Sequence, residues 1–376
     1  MTHPDHRVHG LDADDVPPDW PPLATGELSA LLERYPGLAP CGAIRWHSPR
    51  PLSAACLVDT AAGRVFVKRH HASVRSAATL AEEHAFMARL RGAGLPVPMV
   101  FADAEGRSVV ATGDWTYEVH APAQGLDLYR DTPSWTPPGD PAHARAAGAM
   151  LARLHLAAAG HPAPQRGTHL LVARSELIQA ADPLAALAAQ LPARPGLAAY
   201  LRRRDWRRDL AAVLGPRHAR IQPRLAAQAP QWTHGDWHVS NLCWSEAGPQ
   251  ARITAVLDFG LAARTFALFD LATAIERNAI AWLALDRGEA ARPGIARALI
   301  AGYRSQCPLA SAELDLLADL LPLVHVDFAL SEVEYFSAVT RSPAHADVAY
   351  DTFLRGHAAW FDTTGGQALL AAIREA

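Results

Sequence analysis

His234-Gly235-Asp236-Trp237-His238-Val239-Ser240-Asn241, followed downstream by Val256-Leu257-Asp258-Phe259-Gly260, is the part of this chain whose reading decides the rest. Asn241 stands five residues after Asp236, and Asp258 seventeen residues after Asn241. The first segment reads as a tight loop, and Ile253-Thr254-Ala255-Val256-Leu257 as a short strand that ends at Asp258. Phosphoryl transfer needs a carboxylate to orient an attacking hydroxyl and take its proton. It also needs hard oxygen ligands to hold Mg²⁺ against a polyphosphate. Asp236 suits the first task, and the amide of Asn241 with the carboxylate of Asp258 suits the second. A zinc site at His234 and His238 requires a helix to bring i and i+4 together, and Gly235-Asp236 argues against one.

Working upstream, Arg64-Val65-Phe66-Val67-Lys68 alternates as a strand, with Phe66 and Lys68 on one face and Val65 and Val67 on the other. Ser73 is the expected cap of a helix running to Arg91, stopped by Gly92, Gly94, Pro96 and Pro98. Strands are expected at Ser108 to Thr112 and Thr116 to His120. Beyond Pro122 the chain reads as helical: Ala142 to Ala159, Ser175 to Ala188, Gly196 to Leu214, Asp270 to Leu285, Pro293 to Gln306 and Ala312 to Val339. The expected fold class is α+β, a small β-rich lobe followed by a larger α-helical one. We expect an N-terminal extension over 1–40 with a short helix at Leu28 to Tyr35, an N-lobe over 41–120 and a C-lobe over 121–376.

The 376 residues suit two lobes, and a net charge of −3 gives no support to a nucleic-acid or membrane partner. Arg202, Arg203, Arg204, Arg207 and Arg208 read as a solvated helix face. Four dispersed cysteines, Cys41, Cys56, Cys243 and Cys307, make neither a disulfide framework nor a zinc knuckle. The first twenty residues do not read as a signal peptide, and His3, His6 and His9 read as a frayed terminus rather than a metal site. The expected location is cytoplasmic. Neither GxxxxGK[ST] nor a strand-to-helix GxGxxG occurs, so a nucleotide must be held in another way.

The loop His234-Gly235-Asp236-x-x-x-x-Asn241, the strand end Val256-Leu257-Asp258-Phe259-Gly260 and Phe269-Asp270-Leu271-Ala272 together resemble the aminoglycoside phosphotransferase and choline kinase family. Lys68, Glu83 with the Gly94-Leu95-Pro96 stop, and Leu151-Ala152-Arg153-Leu154-His155 extend the resemblance over roughly Ile44 to Leu285. It implies a two-lobed protein kinase-like fold and an ATP- and Mg²⁺-dependent transfer to a hydroxyl. Asp236 would be the catalytic residue, with Asn241 and Asp258 as metal ligands. Lys68 would contact the phosphates, held by Glu83 or by the competing Glu82. Adenine would lie against the linker from Tyr117 through Val119 to His120, bonded largely to backbone. His234 and His155 are expected as buried structural histidines, and Asp270 as a brace at a helix start. Where a nucleotide-covering loop should lie, the chain reads Ser48-Pro49-Arg50-Pro51-Leu52-Ser53 without a glycine, so backbone N–H groups and the Ser53 hydroxyl are the expected phosphate contacts.

The acceptor, expected to be a small molecule, is sought between the loop and the segments Gly196 to Leu214 and His325 to Tyr335. There His325, Asp327, Glu332, Glu334 and Tyr335 either form an acidic, aromatic-edged pocket or belong to a helix with solvated carboxylates. A catalytically silent nucleotide-binding module, a protein Ser/Thr kinase of the same family and a metal-dependent hydrolase remain as alternatives.

Overall fold

A computed structural model of the protein describes residues 18–133, 135–287 and 290–376; His3, His6 and His9 lie outside them. The small lobe is one antiparallel sheet of β1 (Cys41–His47), β2 (Ala54–Thr60), β3 (Gly63–His71), β4 (Val110–Thr112) and β5 (Trp115–His120), in the order β1-β2-β3-β5-β4. Alternation along β3 buries Val65 and Val67 and leaves Phe66 and Lys68 partly exposed, as expected. The buried face packs on α1 (Thr25–Leu32) through Leu28, Leu31 and Leu32, so part of the expected N-terminal extension closes this small core. That helix starts three residues earlier than the expected Leu28.

Helix α2 (Ala77–Gly92) is capped by Ser76, whose hydroxyl accepts the Thr79 N–H at 3.2 Å, not by the expected Ser73. Ser73 instead hydrogen-bonds the His71 ring at 2.7 Å, which ends the strand before the helix begins. Phe86, Met87 and Leu90 of α2 belong to the main core of the large lobe, with the Phe86 ring 5.3 Å from Trp232 and 6.0 Å from Phe259.

The large lobe contains α3 (Pro141–Ala158), α4 (Glu176–Gln179), α5 (Pro183–Gln190), α6 (Pro195–Leu201), α7 (Trp206–Ala226), α8 (Ala267–Ala279), α9 (Pro293–Arg304), α10 (Ser311–Leu320) and α11 (Val326–Glu334). After a π-helical turn at Tyr335–Val339 come α12 (Pro343–Asp347), a second π-helical stretch at Val348–Gly356, α13 (His357–Trp360) and α14 (Thr364–Arg374). Two expected helices are broken where proline removes a donor. Asp182-Pro183 divides α4 from α5, and Pro322 separates α10 from α11. The expected Gly196 to Leu214 helix is instead divided at 202–205, between α6 and α7, where no proline stands, and α7 runs on past Leu214 through a kink at Gly215. Within the arginine run Arg204 bridges to Asp347 at 2.6 Å and Asp351 at 3.0 Å, while Arg202, Arg203, Arg207 and Arg208 are exposed. Among the described residues no helix is long and apolar enough to cross a membrane.

Helices α3 and α9 meet at glycine. A Cβ on Gly148 would stand 1.9 Å from the Leu299 carbonyl oxygen, and one on Gly302 1.9 Å from that of Arg145. Neither backbone can yield without parting the helices, so Gly302→Ala should cost about 3 kcal/mol, the upper part of the overpacking range. Urea unfolding of that variant with an unchanged midpoint would show that the helices are not in backbone contact.

Two short ladders then fix the site. β6 (Gln231–Thr233) pairs with β9 (Ala263–Thr265), and β7 (Leu242–Trp244) with β8 (Ile253–Val256), all antiparallel. Residues 234–241 join β6 to β7 and residues 257–262 join β8 to β9, so both motifs are loops between paired strands.

Candidate active site

The loop after β6 is held from beneath by Asp270, in the first turn of α8. Its carboxylate accepts the His234 N–H at 2.9 Å and the Gly235 N–H at 2.8 Å, and meets His155 Nε2 at 3.0 Å. His155 is oriented in turn by the Tyr303 hydroxyl at 2.8 Å. Burial works against the Asp270 charge, but these donors outweigh it and hold its carboxyl below the ordinary range. Gly235 has φ +79°, and a Cβ there would lie 2.6 Å from both Ala173 and the Leu261 carbonyl. A side chain at this position would push the loop off its seat. His234 Nε2 hydrogen-bonds the Leu257 carbonyl at 2.9 Å, and the Leu257 N–H donates to the Asn241 carbonyl at 2.8 Å. The two motif loops are thereby tied to each other, and His234 and His155 have the structural positions expected of them.

Asp236 faces the cleft between these supports. Asn241 Nδ2 donates to its backbone carbonyl at 2.9 Å and to its Oδ2 at 3.1 Å. Arg277 Nε lies 3.4 Å from Oδ1, and His238 Nε2 4.0 Å from Oδ2. Burial depresses His238 to about 4, so it sits beside Asp236 as a neutral imidazole.

Asp258 adopts a left-handed backbone, φ 54° and ψ 73°, which turns its carboxylate toward β3. Lys68 Nζ lies 2.9 Å from Asp258 Oδ1. Burial opposes the Lys68 charge, yet Asp258, Glu118 and Glu83 together hold its pKa above the ordinary lysine value. Desolvation works against the Asp258 charge, but Lys68 outweighs it and keeps the carboxyl ionised, well below the usual carboxylate range. The next turn is clamped at the Gly260 carbonyl, which accepts from Arg75 at 2.6 Å and from Arg166 at 3.1 Å.

The expected Lys68–Glu83 pair gives way to this arrangement. Arg166, with no exposed side-chain surface, draws Glu83 to 3.5 Å and Glu82 to 3.8 Å, because a fully buried guanidinium needs both charge partners. Lys68 therefore meets Asp258 directly, and Glu83 acts on it only through its field. Tyr117 and Val119, in the segment expected to line the base, turn their side chains away from it. They oppose Arg69 and Val67 in the ladder, so their side chains lie on the α1 side of the sheet, away from Lys68. The Tyr117 hydroxyl donates to Glu27 at 2.8 Å, and the Val119 carbonyl accepts the Phe101 N–H at 2.8 Å. Glu118 is the member of this segment on the Lys68 face, where its carboxylate meets His70, His84 and His120 at 2.9, 2.8 and 2.7 Å. Ser53 lies at the end of the β1–β2 connection and is 9 % exposed.

Three site residues escaped the sequence. Arg50, in the segment scanned only for glycine, lies within the fields of Asp236, Asp258 and Asp127, and burial lowers its pKa against them. Arg277 and Asn278 follow Asp270 by seven and eight positions, two turns of helix, and so share its face. Asn278 accepts the Val239 N–H at 3.0 Å and donates to the Trp237 carbonyl at 2.9 Å. That spacing was a usable signal.

The five residues sought around the acceptor are divided. His325 and Glu332 face Glu276 and Arg277, whereas Glu334 pairs with Arg194 at 2.6 Å and Tyr335 donates to Asp19 at 2.9 Å. Asp327 accepts the Leu177 N–H at 3.2 Å. All are buried, so neither the solvated helix face nor a single pocket describes them. Burial, reinforced by Glu176, raises Asp327 to about 7. A raised folded pKa means the folded chain keeps a proton that the unfolded chain releases, so stability falls as pH rises from about 4 to about 7. Asp327→Asn retains the oxygen facing Leu177 and should be more stable than the parent at pH 8 but indistinguishable at pH 4. Thermal melts at the two pH values check this.

A small antiparallel sheet over a helical lobe, with both motif loops and Lys68 meeting at the cleft, defines a kinase-like phosphotransferase. A family model described as the phosphotransferase enzyme family matches residues 52–314, and the chain belongs to that family. Among solved structures it is similar to an amicoumacin kinase determined with AMP-PNP, Ca²⁺ and amicoumacin, at 16% identity and TM-score 0.55, covering 93% of this chain and 91% of that one. An aminoglycoside phosphotransferase from Alicyclobacillus acidocaldarius shares 16% identity at TM-score 0.52, with 97% and 98% covered. A microcompartment-associated aminopropanol kinase shares 15% at TM-score 0.55, with 89% and 99% covered. At these identities the likeness carries the fold alone. No curated protein matches this sequence.

Proposed function

We propose that the protein transfers the γ-phosphate of ATP, with Mg²⁺, to a hydroxyl of a small-molecule acceptor, using a nucleotide bound between an N-lobe of 41–120 and a C-lobe of 121–376. The observation that carries this is the meeting of Lys68, Asp236, Asn241 and Asp258 from β3 and two loops, with Lys68 Nζ 2.9 Å from Asp258 and Asn241 Nδ2 3.1 Å from Asp236. Asn241 commits its Nδ2 to the Asp236 loop, which leaves its amide oxygen without a hydrogen bond among the described residues. Asp258 engages one carboxylate oxygen and keeps 44% of its side chain exposed. Two hard oxygens from neighbouring loops fit Mg²⁺, which keeps most of its waters and needs few protein ligands. When bound, the ion neutralises charge on the polyphosphate.

Lys68, with Arg50 and the Ser53 hydroxyl, supplies the polar contacts to phosphate on the small-lobe side. The base lies on the sheet face that carries Phe66 and Lys68. Asp236 hydrogen-bonds the acceptor hydroxyl and takes its proton as the oxygen attacks the γ-phosphorus and the bond to the ADP oxygen breaks. Asn241 fixes the carboxylate and the loop below it is fixed by Asp270, so positioning supplies most of the rate. The test is a panel of amino alcohols, aminoglycosides, sugars and peptides with Mg·ATP, read by ³¹P NMR. A new phosphomonoester that appears with the parent and not with Asp236→Asn supports the assignment. Binding of Mg·ATP with no product from any acceptor would replace it by a silent binding module.

A further inference from the structure

Joined to Asp236 through Arg277 lies a buried group that the phosphotransfer chemistry does not use. Glu276 precedes Arg277 on α8; His325 immediately precedes α11, and His357 opens α13. The three are 1%, 7% and 2% exposed, and each offers one ligand atom within 4.8 Å of the others. Glu276 Oε1 stands 3.7 Å from Nδ1 of His325 and 3.7 Å from Nδ1 of His357. That oxygen is buried and accepts no hydrogen bond among the described residues. A buried carboxylate oxygen without a donor costs on the order of 1–3 kcal/mol, so its place between two imidazoles calls for an occupant.

We infer that Glu276, His325 and His357 form a binding site for a divalent transition-metal ion of the zinc type. Two ligand atoms about 2.1 Å from a common ion and 3.7 Å apart subtend roughly 120°, within the range of a three-ligand site. One carboxylate and two imidazoles suit Zn²⁺ or Co²⁺ and do not suit Mg²⁺, which takes oxygen. Glu332 stands behind the site: its Oε2 is 3.8 Å from His325 Nε2, outside hydrogen-bond distance, and an approach of under about 1 Å would let it receive that N–H and hold Nδ1 toward the ion. Trp282 stacks on His357 at 3.7 Å and fixes the second ring.

The His84, Glu118 and His120 group has the same residue types but a different spacing. Its contacts are 2.8 and 2.7 Å, hydrogen bonds between ring N–H and carboxylate that leave no room for an ion between the atoms. The large-lobe group is also coupled to the site. Arg277 Nε lies 3.6 Å from Glu276 Oε2 and 3.4 Å from Asp236 Oδ1, so a cation on Glu276 loosens its hold on Arg277 and strengthens the pairing of Arg277 with Asp236.

Chelator-stripped full-length protein should bind Co²⁺ with a visible d–d absorption band, displaced by Zn²⁺ and not by millimolar Mg²⁺. Glu276→Gln and His325→Gln should abolish the band while the far-UV circular dichroism stays that of the parent. Glu332→Gln, which leaves the three ligands in place, should weaken Co²⁺ about 10–100-fold. Asp258→Asn should keep the band, which separates this site from the Mg²⁺ ligands and makes the result independent of the proposed phosphotransfer. Absence of a band in the parent would overturn the inference. So would a band that survives Glu276→Gln, or one lost in His84→Gln.

Discussion

Asp236→Asn should lower turnover of the identified acceptor by about 10²–10⁴-fold, the range for loss of a positioned general base. The asparagine keeps the size of the side chain and an oxygen to accept from Asn241, but it cannot take a proton. Nucleotide affinity should be nearly unchanged, because Lys68, Asn241 and Asp258 are untouched and Asp236 lies on the acceptor side of them. Arg277 loses the carboxylate 3.4 Å away and retains Glu276 at 3.6 Å, so the variant stays folded. Initial rates by coupled ADP release and Mg·ATP titration by calorimetry measure the two quantities. Unaltered turnover would remove Asp236 from the mechanism, and a parallel collapse of ATP affinity would make it a nucleotide ligand.

Asp270→Asn is the second large effect, and it falls on stability first. The Asp270 carboxylate has no exposed surface and receives two backbone N–H groups and one imidazole N–H. An amide offers one oxygen and one NH₂, so the NH₂ must face a buried donor. Breaking a buried charge-assisted network in this way costs about 3–5 kcal/mol. Against a total of roughly 5–15 kcal/mol for a folded domain, that is about a fifth or more of the margin. Variant that still folds should also lose turnover, since the His234–Gly235 backbone sets where Asp236 points. Urea unfolding and initial rates report both; an unfolding free energy within about 1 kcal/mol of the parent would mean that Asp270 braces nothing.

Much of this site is local, and local things are legible. The run from β6 to β7 carries its loop geometry in Gly235, whose positive φ no other residue adopts as freely, and in the Asp236 and Asn241 spacing that lets one side chain bond the other. The strand alternation that separates Lys68 from Val67 could be read directly, and applied to β5 it would have turned Tyr117 away and Glu118 inward. Helices failed to read where proline broke an apolar period, because hydrophobic spacing alone continues through Pro183 and Pro322.

By itself the sequence determined the lobe order, the two motif loops and the strand lysine, since each rests on contacts within a few residues or on a periodic face. The buried positions of His234, His155 and Asp270 followed from the motif resemblance, because their contacts span tens of residues or more. Tertiary structure alone decided who meets whom across the chain. Lys68 pairs with Asp258, 190 positions away, because Arg166 has claimed Glu83 from 83 positions away. Arg75 and Arg166 converge on one carbonyl, Arg50 stands in the fields of three carboxylates, and Glu276 meets His325 and His357. The reason is physical: a charge is neutralised by whatever the folded chain places within a few ångströms, and burial makes that choice strong. No period or motif in the linear sequence encodes that distance.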